Sequence, residues 1–180
     1  MIKFCSHCGS GVVHKVPEGD SLVRAVCEAC GHIQYLNPKI VVGCLPVYGD
    51  RILMCKRAIE PRYGLWTLPA GFMENSESAS EGAAREAMEE ANARVEIEDL
   101  YTVYSIPHIS QVYMMFRARL VDPDVSPGTE SLEVRLVTED EIPWDTLAFQ
   151  MVKRTLEHFL EDRKTGIYLP RFGDIRPPQR

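Results

Sequence analysis

The stretch GFMENSESASEGAAREAMEEAN, residues 71–92, determines how the rest of the chain is interpreted. Ser78, followed three residues later by Glu81, has the form of a capping box, which is typical of the start of a helix. Asn92 suits the left-handed residue that ends a helix. The stretch therefore predicts a loop followed by a helix over 78–91.

Three glutamates fall on one stripe of this predicted helix, because each residue advances about 100° around the axis. They are spaced three and four residues apart: Glu86, Glu89 and Glu90. Such neighbouring carboxylates repel one another unless cations lie between them. Oxygen clusters suit Mg²⁺ or Mn²⁺, which can neutralise charge on a reacting phosphate. A solvated acidic helix face is the alternative, and the helix alone does not decide between them.

The whole stretch resembles the signature of the Nudix hydrolase family. That signature is Gly, five residues, Glu, seven residues, Arg-Glu, an aliphatic residue, any residue, Glu-Glu, any residue, Gly and an aliphatic residue. The positions on register are Gly71, Glu77, Arg85, Glu86, Glu89 and Glu90. Asn92 replaces the final glycine, and asparagine also accepts the left-handed conformation. Ala87 and Ala93 are smaller than the usual aliphatic residues.

The resemblance implies a role for each matching residue. The three glutamates of the stripe would bind Mg²⁺ or Mn²⁺ and take part in catalysis. Arg85 would pair with Glu77 to hold the loop against the helix, and Gly71 would permit the turn of the loop. The implied fold is an α/β (α+β) domain, an α/β/α sandwich around a mixed sheet.

The hydrophobic pattern outside this stretch also predicts strands mixed with helices, in a domain over 37–165. Asn37-Pro38 marks its beginning, and Gly49-Asp50 forms the turn of a hairpin. A tail with three prolines follows over 166–180 and is expected to be extended. The predicted strands are 40–47, 51–57, 94–104, 111–121 and 132–137, and a second helix is predicted over 147–163.

Residues 1–36 carry two Cys-x-x-Cys pairs, which predict a small zinc ribbon. The four thiolates would complete a tetrahedral Zn²⁺ shell without an open position, so the zinc would be structural. Two redox disulfides, or a ribbon that has lost its metal, are the alternatives. His7 and His32 are nearby but are expected on the surface. The predicted ligands are Cys5, Cys8, Cys27 and Cys30.

Composition restricts the class of protein. The chain has 180 residues with 45% hydrophobic and 26% charged residues, enough for one domain with a small addition. The formal net charge of −6 argues mildly against nonspecific nucleic-acid binding. No apolar run is long enough to cross a bilayer, and the N-terminus lacks the pattern of a secretory signal. We therefore expect a cytoplasmic protein, in which Cys44 and Cys55 are buried free thiols.

The whole chain is similar to zinc-ribbon Nudix hydrolases such as the plant plastid enzyme that acts on ADP-ribose and FAD. This resemblance implies hydrolysis of a pyrophosphate bond with release of AMP. NADH pyrophosphatase is the second candidate, but its branch carries a Gln-Pro-Trp-Pro-Phe-Pro-type segment, whereas residues 105–112 read SIPHISQV. The supporting segments include Asn37–Lys39, Cys55–Arg57, Gly64–Gly71, Glu130–Glu133 and Leu147–Phe149.

Further residues are candidates for contact with the substrate. Arg57 could hold a phosphate or form a surface ion pair. Trp66 and Phe149 could stack on a base, although large aromatic residues are often part of the core. Glu133 is favoured slightly over Glu130 for activating water, and either could instead be a solvated loop carboxylate. Gln111 and Tyr113 are treated as packing residues.

Two other classes of protein remain as alternatives. A nucleic-acid-binding module would need a basic ribbon, but the charges of residues 1–36 are balanced. A sensor that binds ADP-ribose without cleaving it would not need three intact metal-binding glutamates. The expected partner is thus a nucleotide-type small molecule, and the resemblance leaves a homodimer open.

Overall fold

The computed structural model describes residues 1–177 and divides into two compact units, one over Met1–Asn37 and one beginning at Pro38. The boundary lies within Asn37-Pro38, the dipeptide that marks the predicted beginning of the larger domain. Within residues 1–177, neither helix combines the length and the apolar character needed to span a membrane.

The N-terminal unit is a small antiparallel sheet with two cysteine turns. Its short strands pair in the order β1-β2-β3. Gly9 and Gly31 follow the cysteine pairs with φ of +76° and +74°, and their amides close the turns onto Cys5 and Cys27. Glycine is suited to these positive φ values. The strands are β1 (Val13–Lys15), β2 (Arg24–Val26) and β3 (Ile33–Gln34).

The larger unit is built on a mixed sheet in the order β10-β5-β4-β9-β8-β11, with β6 beside β5 and β7 beside β4. β4 and β9 are parallel, as are β8 and β11, while the other pairs are antiparallel. The predicted mixed sheet and β4–β5 hairpin are confirmed. The strands are β4 (Lys39–Tyr48), β5 (Arg51–Arg57), β6 (Trp66–Thr67), β7 (Ala70–Phe72), β8 (Val95–Ile106), β9 (Gln111–Leu120), β10 (Ser131–Val137) and β11 (Arg171–Asp174).

Helix α1 (Ala79–Ala91) and helix α2 (Gln150–Thr165) cover opposite faces of this sheet. Successive side chains of a strand point to opposite faces. In β5, Leu53 packs in the cluster that contains the alanines of α1, whereas Met54 packs in the cluster that contains Met151 and Leu156 of α2. The unit is therefore the expected α/β/α sandwich.

The ends of α1 match the sequence prediction closely. Ser78 caps the helix and forms a capping box with Glu81, and Asn92 ends it with φ of 47°. α2 begins at Gln150 rather than near residue 147, because Leu147 forms a parallel bridge with Trp66 and the Ala148 amide donates to the Trp66 carbonyl at 2.8 Å.

The tail expected over 166–180 contributes a strand to the sheet. β11 adds to the edge of the sheet parallel to β8, and Arg171 at its start pairs with Asp162 of α2. The last residues of that predicted tail, 178–180, lie outside the described residues.

Candidate active site

A cleft of about 1150 Å³ lies beside α1 in the larger unit. Its wall combines the carboxylate stripe of α1 with the end of β5, the turn between β8 and β9, the loop before β10 and the residues around the start of α2. The polar side chains that line it include Arg57, Arg85, Glu86, Glu89, Glu90, Gln111, Tyr113 and Glu130.

Arg85 fixes the loop of residues 72–77 against α1. Its Nε and Nη2 donate to the two carboxylate oxygens of Glu77 at 3.0 and 2.9 Å, and Nη2 also donates to the Phe72 carbonyl at 3.1 Å. This two-pronged pair holds the pKa of Glu77 at about 2. The pair predicted from the family signature is therefore formed in the structure.

The same guanidinium also orients the carboxylate stripe. Arg85 Nη1 donates to Glu86 at 2.7 Å and to Glu89 at 3.0 Å. The side chain of Glu86 is 10% exposed, whereas that of Glu89 is 58% exposed. Gly71 leaves space for the buried carboxylate, since a Cβ at residue 71 would lie 2.4 Å from Glu86 Oε1.

Glu90 is the most isolated of the three glutamates. Burial and the neighbouring Glu86 raise its pKa to about 8, against the opposing effects of Arg57 and the Ala70 backbone. Burial also raises the pKa of Glu86, although Arg85 opposes this shift. Among residues 1–177, Glu90 Oε2 is buried without a hydrogen-bond partner.

This donor set fits a hard divalent cation. Buried polar atoms are nearly always satisfied, so this carboxylate oxygen is available to an ion or a water molecule. The carboxylates of Glu86 and Glu90 lie in a wall of the cleft that is partly shielded from water. The negative charge of Glu130 acts on both and contributes to their raised pKa values. Carboxylate oxygens are the preferred protein ligands of Mg²⁺ and Mn²⁺.

The structure places Glu130, rather than the slightly favoured Glu133, among the residues that line the cleft. Glu133 lies on β10, where its carboxylate pairs with Lys56 and Arg135. Glu130 precedes β10 and lines the cleft with the carboxylates of α1. The two residues differ because Glu130 lies in the turn that the Ser131 amide closes on the Gly128 carbonyl, a feature that sequence alternation did not reveal.

The two aromatic candidates, Trp66 and Phe149, differ in their packing and exposure. Trp66 is only 6% exposed and packs in the core cluster, so it is a core residue rather than a stacking platform. Phe149 lines the cleft, and the guanidinium of Arg57 lies 5.1 Å from the centre of its ring. Arg57 also donates through Nε to the Pro61 carbonyl at 2.9 Å.

Sequence reasoning missed the contribution of the β8–β9 turn. Ile106, Ile109, Gln111 and Tyr113 all line the cleft, although the last two were treated as packing residues. The sequence signal for this contribution was segment 105–112, where the chain departs from the motif of the NADH branch.

The four predicted zinc ligands converge in the N-terminal unit, with their sulfur atoms all within 4.8 Å of one another. Two of the Sγ–Sγ distances are 3.7 and 3.5 Å, close to the edge of about 3.8 Å expected for a tetrahedron with Zn–S bonds of about 2.3 Å. All six cysteines are free thiols, so the disulfide alternative is wrong for this structure.

His7 and His32 are exposed or half-buried and stack on each other, while Cys44 and Cys55 are buried as expected.

Two family profiles match the chain in succession. The first, described as Nudix N-terminal, covers residues 3–36, and the second, described as NUDIX domain, covers residues 37–159. Among similar solved structures is a Nudix hydrolase from Nitrosomonas europaea. It is 56% identical, covers 98% of this chain and 100% of that chain, and has a TM-score of 0.95.

The sequence is also similar to named proteins. The NAD-capped RNA hydrolase NudC of Photobacterium profundum is 30% identical over 72% of this chain and 47% of its own length. An ADP-ribose pyrophosphatase of Methanocaldococcus jannaschii is 28% identical over 66% of this chain and 72% of its own length. The chain thus spans about half the length of the NudC protein it matches. The profile matches across both units show that the chain belongs to the Nudix hydrolase family, with a Nudix-type zinc ribbon ahead of its Nudix domain.

Proposed function

We propose that this protein hydrolyses the pyrophosphate bond of nucleoside diphosphate-linked compounds, with ADP-ribose and FAD as its substrates and AMP as a product. The observation that carries this proposal is the buried pair Glu86 and Glu90, whose carboxylates face a large cleft and include an oxygen without a protein partner. A helix face that served only solubility would be exposed and paired with basic residues.

The remaining lining of the cleft supports a substrate with a phosphate and an aromatic ring. Arg57 offers a guanidinium that can donate to phosphate oxygens. Phe149 offers a ring on which a base or an isoalloxazine can stack. The volume of about 1150 Å³ lies above the usual range for small-molecule pockets, which suits a dinucleotide-type ligand.

The chain's own residues have separable tasks in this reaction. Bound Mg²⁺ or Mn²⁺ would neutralise charge on the pyrophosphate and make water more acidic. Glu86, Glu89 and Glu90 would hold the cations, and Arg85 would fix the direction of Glu86 and Glu89. Glu130 would accept a proton from the attacking water. The water oxygen bonds to phosphorus as the bridging P–O bond breaks, giving AMP and ribose 5-phosphate from ADP-ribose, or AMP and FMN from FAD.

The names of the relatives support this class of reaction and supply the second candidate. One relative is named as an ADP-ribose pyrophosphatase, and others are named as NAD-capped RNA hydrolases. NADH or an NAD-linked RNA end is therefore the second candidate substrate. Segment 105–112 favours the first candidate, because it lines the cleft through Ile106, Ile109 and Gln111 and departs from the NADH-branch motif.

Three further assignments belong to this proposal. The cysteine cluster would hold a structural Zn²⁺, which leaves no position open for substrate. The protein would act in the cytoplasm on small molecules. The family resemblance leaves a homodimer open, and light scattering can test for it by measuring the molar mass in solution.

A substrate panel tests the proposal. The full chain is incubated with Mg²⁺ and with ADP-ribose, FAD, NADH or a nucleoside triphosphate, and kcat/KM is measured from the products. We expect AMP from ADP-ribose and FAD, with higher kcat/KM than for NADH, and no turnover after chelation of Mg²⁺. A protein that binds ADP-ribose in calorimetry but releases no AMP would be a sensor, contrary to the proposal.

A matched pair of variants tests the assignment of the base. Glu130→Gln and Glu133→Gln make the same chemical change three residues apart. The geometry predicts the larger loss of kcat for Glu130→Gln, by about 10²-fold or more, the usual contribution of a general base. A larger loss for Glu133→Gln would restore the earlier preference and contradict the assignment of Glu130.

A further inference from the structure

Asn92 occupies the position at which the family signature has its final glycine, and it makes contacts that glycine lacks. Its side-chain Nδ2 lies 3.1 Å from the Ser126 carbonyl, 3.1 Å from Ser126 Oγ and 3.4 Å from the Pro127 carbonyl. It can therefore donate to a loop that is more than thirty residues away in sequence. A residue that ends α1 is thus also a clamp on the loop before β10.

The backbone of this loop lies directly on the end of α1. The Ser126 amide donates to the Ala91 carbonyl at 3.0 Å, and the Gly128 amide donates to the Glu90 carbonyl at 3.0 Å. These bonds satisfy carbonyls that have no partner within a helix end. A Cβ at residue 128 would lie 1.7 Å from the Glu89 carbonyl oxygen, so only glycine permits this approach.

The docked loop leads straight to Glu130. The Gly128 carbonyl accepts from the Ser131 amide at 3.2 Å, and the Glu130 carbonyl accepts from the Ala58 amide at 2.8 Å. Glu130 is thereby fixed on both sides along the chain. Its side chain lines the same cleft as Glu86 and Glu90, and its negative charge contributes to the raised pKa values of both.

We propose that Asn92 is a positioning residue, which holds the loop of residues 126–130 on the end of α1 and thereby sets the position of the Glu130 carboxylate relative to the metal-binding glutamates. The proposal rests on the proposed function, because it assigns Glu130 a part in the reaction. Asn92 acts through the loop and is not itself a reacting group. The left-handed backbone conformation favours glycine or asparagine, and of these two only asparagine supplies a side-chain N–H donor.

Asn92→Gly is the decisive variant, because glycine keeps the left-handed helix end and removes only the clamp. Asn92→Asp keeps the size of the side chain but replaces the donor with an acceptor, which would face the carbonyls of Ser126 and Pro127. Thr165→Ala is the matched control. It removes a side-chain hydrogen bond at the end of the other helix, where Thr165 Oγ1 donates to the Asp162 carbonyl at 3.0 Å.

The first measurement is amide exchange in the metal-free full chain, which does not depend on activity. We expect the amides of Ser126 and Gly128 to exchange at least about tenfold faster in Asn92→Gly than in the wild type, with Asn92→Asp at least as fast. Thr165→Ala should leave these amides unchanged. Equal exchange in the wild type and Asn92→Gly would overturn the clamp.

The second measurement is turnover of the substrate selected by the panel. Groups that orient a functional side chain are usually worth about ten- to a hundredfold, so we expect kcat to fall about tenfold in Asn92→Gly, with KM close to that of the wild type. An unchanged kcat, or an equal fall in Thr165→Ala, would overturn the positioning role. If the wild type hydrolyses none of the substrates, the proposed function and the role of Asn92 in catalysis both fail, while the exchange measurement still decides whether Asn92 holds the loop.

Discussion

Two helical carboxylates in the larger unit are equally shielded from solvent but differ in their hydrogen-bond partners. Glu90 of α1 and Asp162 of α2 are each 6% exposed. Asp162 accepts two bonds from Arg171, at 2.6 and 2.7 Å, and one from the Tyr101 hydroxyl at 2.8 Å. Among residues 1–177, Glu90 Oε2 accepts none.

The difference appears in the pKa values. Burial alone would raise the pKa of Asp162, but the hydrogen bonds from Arg171 and Tyr101 outweigh burial and hold it below its usual value. Burial raises the pKa of Glu90 to about 8, since Arg57 and the Ala70 backbone compensate it only in part. A satisfied buried carboxylate stabilises the fold, whereas an unsatisfied one is kept for a ligand. The comparison therefore supports a structural role for Asp162 and the metal-binding role proposed for Glu90.

Glu90→Gln tests the functional half of this comparison and should have the largest effect. The variant removes a charge proposed to bind the metal, so we expect kcat to fall by about 10³-fold, similar to the loss of one preorganised electrostatic contact. The metal-free variant should unfold at or above the wild-type temperature, because burial penalises the ionised carboxylate and no protein hydrogen bond to Oε2 is lost. Mg²⁺ should raise the Tm of the wild type but raise that of the variant much less. Full turnover in Glu90→Gln would break the comparison.

Asp162→Asn tests the structural half. Breaking a fully buried ion pair costs about 3–5 kcal/mol, but the Arg171 side chain is 25% exposed, so we expect a loss of about 2 kcal/mol in the free energy of unfolding. Urea titrations followed by tryptophan fluorescence measure this loss, since both tryptophans, Trp66 and Trp144, belong to the larger unit. At a temperature where the variant is folded, kcat should be that of the wild type. A large fall in kcat without a loss of stability would reverse the two assignments.

Gly71→Ala sharpens the comparison by displacing a metal-binding carboxylate without removing it. The added methyl group would meet the carboxylate of Glu86, the mobile end of a side chain, so the backbone need not shift. We expect about tenfold weaker Mg²⁺ affinity and a small change in Tm. The control is Gly128→Ala, in which the methyl group would meet the Glu89 carbonyl and cannot be accommodated by a side-chain movement. Equal losses of Tm in the two variants would contradict this distinction.

Much of the fold could be predicted from local patterns. The capping box at Ser78 and the left-handed Asn92 gave the ends of α1, and alternating apolar residues gave the long strands. Short strands such as β6 and β7 have too few residues to show a period. β11 could not be recognised, because its pairing with β8 and the bond from Arg171 to Asp162 depend on distant parts of the chain.

In the candidate site, too, local sequence predicted some features, whereas contacts between distant parts of the chain determine others. The signature predicted the pair of Arg85 with Glu77, since both residues lie within one loop and helix. The sequence could not show that Glu130, rather than Glu133, lines the cleft, because the course of the loop depends on its contacts with α1. The unequal burial of Glu89 and Glu90 also depends on the sheet beneath the helix, and a helical stripe alone cannot show it.

The pH dependence of stability provides the finest test of the comparison. Because the pKa of Asp162 is lowered on folding, its contribution is fully present above its unfolded pKa of about 4 and is lost as pH falls through the lower folded value. The difference in unfolding free energy between the wild type and Asp162→Asn should therefore be constant from pH 6 to pH 5 and shrink as the pH falls towards 3. Other carboxylates titrate in both proteins, so the difference isolates Asp162. A difference that stayed constant down to pH 3 would mean that Arg171 and Tyr101 do not favour the charged form of Asp162, and the contrast with Glu90 would lose its physical basis.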